Sequence, residues 1–327
     1  MPKEFIQIED LFVEYMSDGQ VIHAVNGVSL QVKEGETLGL VGETGAGKTT
    51  IAKAIMRVLP EPPAKVPKGR ILLEGQDILT IPEKQMRKLR GSKVSMIFQD
   101  PMTTLNPVMT VGKQIAEVIE IHEDCSAVEA MKKAADMMEM VGIPAARFDE
   151  YPHQFSGGMK QRIVIAIALA CNPRLLLADE PTTALDVTIQ AQVLDLIKDL
   201  QERMHTAMIL ITHDLGVVAQ TCENVAVIYA GQIVEYGSRR DVFKSTSHPY
   251  TKGLFASVPH LNDEEPRLHP ITGLPPDPSN LPAGCAFAPR CPYATQACHT
   301  QAQELKEVSE GHYCRCMMAE ASKAGLV

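Results

Sequence analysis

The 327-residue chain contains no tryptophan, an absence that says nothing about function. A second absence is more useful. No apolar run approaches the ~18 residues that a membrane-spanning helix needs. The longest relevant stretch, Ile163–Cys171, is half as long, so any membrane association is expected to come through a partner. Cationic residues are in deficit: 31 Lys and Arg against 40 Asp and Glu leave a net charge of −9. Nothing therefore supplies the broad basic surface of a general nucleic-acid binder. The opening MPKEFIQIED holds no apolar signal segment, so the chain is expected to stay in the cytosol. No internal repeat or low-complexity tract is evident. What remains is ordinary globular material, 45% hydrophobic and 22% charged, long enough for one large or two modest domains with a sizeable core.

The chain starts in β-rich segments. Phe5–Val13 and Val25–Val32 alternate roughly, with a turn at Ser17-Asp18-Gly19, and Glu36–Gly42 is a short apolar strand running into glycines. A helix is expected over Thr49–Leu59, stopped by Pro60 and a proline-rich loop to Pro67. Val94–Gln99 reads as a buried strand, and Thr110–Val141 as two amphipathic helices. Further helices are expected over Ser156–Ala170, Thr188–His205 and Leu215–Thr221, with short apolar strands at Leu175–Glu180 and Ala207–His213. Strand–helix alternation of this kind implies an α/β fold: a parallel sheet covered on both faces, with ligands at the carboxyl ends of its strands. Asn224–Tyr236 reads as a closing strand pair turned at Ala230-Gly231. Past about residue 240 the pattern breaks, and nine prolines between Pro259 and Pro292 exclude long regular elements there.

Gly42-Glu43-Thr44-Gly45-Ala46-Gly47-Lys48-Thr49 fits G-x-x-x-x-G-K-[ST] between an expected strand and an expected helix, the context this phosphate loop requires. Its glycines let consecutive N–H groups turn toward a polyphosphate, and the helix start adds positive dipole. Lys48 would reach the β- and γ-phosphates and Thr49 would bind Mg²⁺. Leu175–Glu180 then delivers Asp179 to the Mg²⁺ shell, with Glu180 where a base polarises the attacking water. Phe155-Ser156-Gly157-Gly158-Met159-Lys160-Gln161-Arg162 offers a hydroxyl and two glycine amides at a second helix start, a second anion site.

The phosphate loop and the Asp-Glu strand are shared by kinases, GTPases, helicases and motors. The Ser156 segment resembles the signature motif of ABC ATPases, departing from the common Leu-Ser-Gly-Gly-Gln form at its first and fifth positions. The resemblance spans residues 5 to about 240. It implies a P-loop ATPase core with an N-terminal antiparallel β subdomain and an inserted helical subdomain at about 102–160. It also implies ATP held by residues Gly42 to Thr50, including Thr50, with Ser156, Gly157 and Gly158 serving the ATP of a partner subunit. Gln99 matches the Q-loop glutamine, which contacts Mg²⁺ and the water. Thr183-Ala184-Leu185-Asp186 matches the D-loop, His213 the switch histidine that contacts the γ-phosphate, and Tyr15 the aromatic that stacks on adenine. Every catalytic position holds a competent residue.

Five of the eight cysteines crowd the last 43 residues: Cys285, Cys291, Cys298, Cys314 and Cys316. In a reducing compartment such a group favours metal over disulfides. The spacing Cys285-x5-Cys291-x6-Cys298-x17-Cys316 contains no C-x2-C knuckle and is no ferredoxin run, so spacing leaves zinc and iron–sulfur both open. His248-Pro-Tyr-Thr251, the Pro282–Tyr293 segment, Cys298 and His312-x-x-x-Cys316 resemble the C-terminal extension, residues 241–327, of dipeptide and oligopeptide importer ATPases of the D type, a family that extends to nickel importers. That likeness implies a [4Fe–4S] cluster on Cys285, Cys291, Cys298 and Cys316, with Zn²⁺ as the alternative and Cys314 a bystander. It also implies uptake of di- or oligopeptides at the cytoplasmic face of the membrane. The expected partners are a second ATPase chain, two membrane permease subunits and an extracytoplasmic solute-binding protein, without nucleic acid. The alternatives are the same role for nickel or another small solute, or a non-transport ABC ATPase.

Overall fold

The computed structural model describes residues 4–183, 185–257 and 271–319. The residues ahead of Glu4, Ala184 of the D-loop match, the stretch with Pro259, Pro266 and Pro270, and residues 320–327 lie outside that description. Its strands are β1 (Glu4–Ser17), β2 (Gln20–Lys33), β3 (Thr37–Val41), β4 (Ala64–Leu73), β5 (Gln76–Asp77), β6 (Val94–Ile97), β7 (Leu175–Asp179), β8 (Ala207–Ile211), β9 (Asn224–Tyr229), β10 (Gln232–Ser238), β11 (Lys306–Ser309) and β12 (His312–Cys314). The described residues form two compact units. One draws on Met1–Ile6, Val32–Thr37 and Leu73–Ile211, the other on Gln7–Gln31, Leu38–Leu72 and Thr212–Val327.

In the first unit β6, β7 and β8 run parallel, with Val94 opposite Leu175 and Asp179 opposite Ile211. Every residue of β7 and β8 is buried. Parallel strands covered on both faces read as unbroken apolar runs rather than alternation, which is why LLLAD and AMILI carry no period-2 signal. Helices Val111–His122 and Ala127–Met140 pack together as a pair. The second opens on a reciprocal cap, in which the Ser126 hydroxyl and the Glu129 carboxylate satisfy each other's backbone N–H groups. Helix Gly157–Leu169 buries Ile163, Val164, Ile165, Ala166, Ala168 and Leu169. Its apolar run is thus a core helix, and among the described residues no helix is long and apolar enough to cross a membrane.

The second unit holds the hairpin of β1 and β2, turned through Asp18 and Gly19, both at positive φ (50° and 77°) as a tight hairpin turn requires. β3 pairs parallel with β9, Leu38 opposite Asn224. β9 and β10 are antiparallel about Ala230-Gly231, as expected from the sequence. Beyond them β12 pairs with β10, Glu235 opposite Cys314, and β11 pairs with β12.

One expectation is overturned by the structure. The proline-rich stretch is not loop as far as Pro67: β4 begins at Ala64 and lies beside β1. Pro67 is exposed there, and its fixed φ is compatible with an extended strand. The last cysteines also lie in and beside strands that the sequence did not announce, because β11 and β12 have four and three residues and are too short for a periodic signal.

Candidate functional site

β3 is buried throughout and feeds directly into Gly42, and helix Lys48–Met56 follows the loop. The loop's shape depends on glycine at two points. A Cβ on Gly42 would lie 2.2 Å from the Ile228 carbonyl oxygen, and one on Gly47, at φ 102°, would lie 2.4 Å from that of Ala24. No side chain fits either position. The N–H of Gly231 donates to the Ala46 carbonyl at 3.0 Å, so the β9–β10 turn braces the loop from outside. Lys48, only 6% exposed, donates its Nζ to the carbonyls of Gly42 (2.7 Å) and Glu43 (3.0 Å). Thr44 and Gly45 at the loop tip are exposed, and Thr49 and Thr50 are half-buried. In the same unit Tyr15 is half-buried on β1, and His213 is exposed just past β8.

In the first unit the polar residues gather at the carboxyl ends of the strands, where parallel sheets present their sites. Asp179 ends β7 and is 2% exposed. Glu180 follows in the left-handed region, φ 47°, with its N–H on the Ile211 carbonyl at 2.8 Å. A glutamate seldom holds that conformation, and here two donors fix its carboxylate: Gln99 Nε2 at 2.8 Å and Thr183 Oγ1 at 2.9 Å. The sequence reading named Gln99 and Glu180 separately; the structure joins them across 81 positions. Ser156 caps helix Gly157–Leu169, accepting from the Met159 N–H at 3.4 Å, and remains exposed with Gly157. Gly158 lies against Ile189, where a Cβ would approach Cγ2 to 2.7 Å. Asp186 caps the next helix by accepting from the Ile189 N–H at 3.0 Å.

A separate cavity in the C-terminal region is lined by Cys285, Cys291, Cys298 and Cys316, with His248 and Phe287. Cys314 is buried on β12 and does not line it. Burial pushes the thiols of Cys285, Cys291 and Cys316 above the ordinary cysteine range. It also lowers the His248 imidazole to about 4, so this ring is neutral, and its Nδ1 accepts from the Tyr250 N–H. Among the described residues no three His, Cys, Asp or Glu side chains stand close enough to grip a single metal ion.

The sequence reading missed the residues that tie this region to the phosphate loop. Tyr250 Oη accepts from the Glu43 N–H at 2.9 Å, and Arg290 pairs with the Glu43 carboxylate. Both lie inside segments singled out only for their likeness to importer ATPases, and that was the available signal.

Comparison with known proteins gives two family matches: ABC transporter over residues 25–183, and oligopeptide/dipeptide transporter, C-terminal region, over residues 234–298. The chain is 50% identical over 313 residues to the oligopeptide transport ATP-binding protein OppD of Bacillus subtilis, covering 95% of this chain and 87% of that one. It is 48% identical over 320 residues to the dipeptide transport ATP-binding protein DppD of the same organism, covering 97% and 96%. Among solved structures it is similar to a dimeric post-hydrolysis state of the ATP-binding cassette MJ0796 bound to ADP and Pi. That match has a TM-score of 0.65 and 26% identity, and covers 72% of this chain and 99% of that one.

Proposed function

We propose that this chain, which belongs to the ATP-binding subunits of oligopeptide and dipeptide ABC transporters, hydrolyses ATP at a dimer interface to drive peptide uptake from the cytoplasmic face of the membrane. The observation that carries the hydrolytic part is the fixed carboxylate of Glu180, held by Gln99 and Thr183 at the end of a buried strand. A base so held needs no reorganisation to receive the proton of an attacking water. Lys48 and the amides of Gly45 to Thr50 would cradle the phosphates, Tyr15 would stack on adenine, and His213 would contact the γ-phosphate. Ser156 and Gly157, exposed at a capped helix start, and the half-buried Gly158 beside them would close over the ATP of the partner subunit.

In this reading Thr49, Gln99 and Asp179 would each offer Mg²⁺ a hard oxygen donor, Asp179 from the carboxyl end of β7. Mg²⁺ bound there would neutralise charge developing on the phosphates. We divide the chain at about residue 240 into cassette and extension, with a helical subdomain at about 102–160 docking the membrane subunits. Partners of this reading are a second ATPase chain, two permease subunits and a solute-binding protein. In vesicles carrying that assembly, a labelled di- or oligopeptide should accumulate only with internal ATP. Accumulation of nickel in place of peptide would overturn the choice of solute.

For the extension we favour a [4Fe–4S] cluster over zinc. Four thiols line one cavity, and the region is similar to the C-terminal region of oligopeptide and dipeptide transporters. A cubane takes four cysteine thiolates, the number that this cavity offers. The cluster would staple a proline-rich tail that lacks a core of its own. Protein purified without oxygen should be brown and hold about four irons per chain. Cys316→Ser should bleach it and Cys314→Ser should not, since only Cys316 lines the cavity. Colourless protein with stoichiometric zinc would reverse the assignment.

A further inference from the structure

Glu43, the first variable residue of the phosphate loop, is secured through every polar group it has. Its carbonyl accepts from Lys48 Nζ at 3.0 Å, and its N–H donates to the Tyr250 hydroxyl at 2.9 Å. Its carboxylate takes both arms of Arg290, Nη1 to Oε2 at 2.8 Å and Nη2 to Oε1 at 3.1 Å. Arg290 lies 247 positions away, immediately before Cys291.

This is not an incidental surface pair. The Arg290 side chain is 5% exposed and that of Glu43 25%. The rest of the guanidinium is engaged as well: Nε donates to the Thr272 carbonyl at 3.1 Å, Nη2 to that of Ile271 at 3.3 Å, and Nη1 to the Tyr229 hydroxyl at 3.2 Å. Below it Tyr229, Tyr250 and Phe287 form a ring cluster with centroids 4.6 to 5.4 Å apart. A bidentate fork held on all sides keeps one geometry, unlike an exposed pair that samples many.

An anion-binding loop that carries its own carboxylate works against itself unless that charge is answered. We propose that Arg290 is a positioning residue for the phosphate loop: its paired contact with Glu43 cancels the carboxylate and fixes the loop for nucleotide, making ATP affinity depend on the C-terminal extension. The proposal rests on the nucleotide reading above and goes beyond it.

The test is a titration of the purified full-length chain with a fluorescent ATP analogue and Mg²⁺. Arg290→Ala should weaken binding about ten-fold, the order expected from one unanswered unit charge beside a polyphosphate. Adding Glu43→Gln to Arg290→Ala should regain most of the lost affinity, because the unanswered carboxylate is then gone. That rescue separates positioning from general damage, because disruption of the tail would not be repaired by neutralising a carboxylate on the loop. Arg290→Lys keeps the charge without the fork and should fall between wild type and Arg290→Ala; it carries the test if Arg290→Ala does not fold. Wild-type affinity in Arg290→Ala, or in Arg290→Lys should that variant stand in for it, overturns the proposal. So does an equal loss with and without Glu43→Gln. A wild-type chain that does not bind the analogue would overturn the nucleotide reading itself, a distinguishable outcome.

Discussion

Glu180→Gln is expected to keep ATP binding and to lower turnover by ~10²–10⁴, the usual worth of a positioned base. The substitution is close to isosteric. The amide oxygen of glutamine can still accept from Gln99 and Thr183, the two donors that hold the carboxylate at 2.8 and 2.9 Å. What disappears is the capacity to take a proton from water. The backbone should tolerate the change, because φ 47° costs a glutamine no more than a glutamate. With hydrolysis blocked, the ATP-bound closed dimer should accumulate and be visible by size-exclusion chromatography. ATPase activity near wild type in the assembled transporter would refute the assignment of Glu180 as base.

The second large effect concerns sites shared between subunits. Lys48→Ala removes an ammonium from the phosphate cradle and Ser156→Arg obstructs an exposed anion-binding helix start. Each alone should reduce ATPase activity by ~10²–10³, as losing a preorganised electrostatic contact does. Mixed together they should recover part of it. If Ser156 serves the partner's ATP, one site of a mixed dimer carries both lesions and the other carries neither. Dimer formation without recovered activity would show that Ser156 acts on its own chain's nucleotide. Where the natural partner is a different chain, the two substitutions are divided between the two subunits.

The phosphate loop could be read from the sequence because its chemistry is local. A strand, a glycine turn and a helix start follow one another within a dozen or so residues, and each step has its own residue signal. The parallel strands were legible for a similar reason: burial on both faces writes LLLAD and AMILI as solid apolar runs. Contacts across long separations were not legible. Nothing in the spacing of Gln99 and Glu180 announces a hydrogen bond, and nothing in Glu43 announces an arginine 247 positions on. Proline misled at β4, where the fixed φ of Pro67 suits an extended strand as well as it suits a loop. For the cysteines, spacing could not separate Cys314 from Cys316. The β12 backbone does: Cys314 is inside the strand, opposite Glu235, while Cys316 lies just beyond its end and lines the cavity.

The pairing of β12 with β10 bears on how the chain matures on the ribosome. β10 leaves the ribosome before β12, the strand that covers its outer edge. In that interval the edge is open to any passing strand, the usual route to misassembly. Glu235 lies on β10 with no exposed surface in the finished protein, its carboxylate held by His312 Nε2 at 2.8 Å and by the N–H groups of Ser247 and His248. Before His312 is made, the Glu235 side chain lacks that partner, just as the outer edge of β10 lacks β12. Covering of that edge therefore waits on the synthesis of β12.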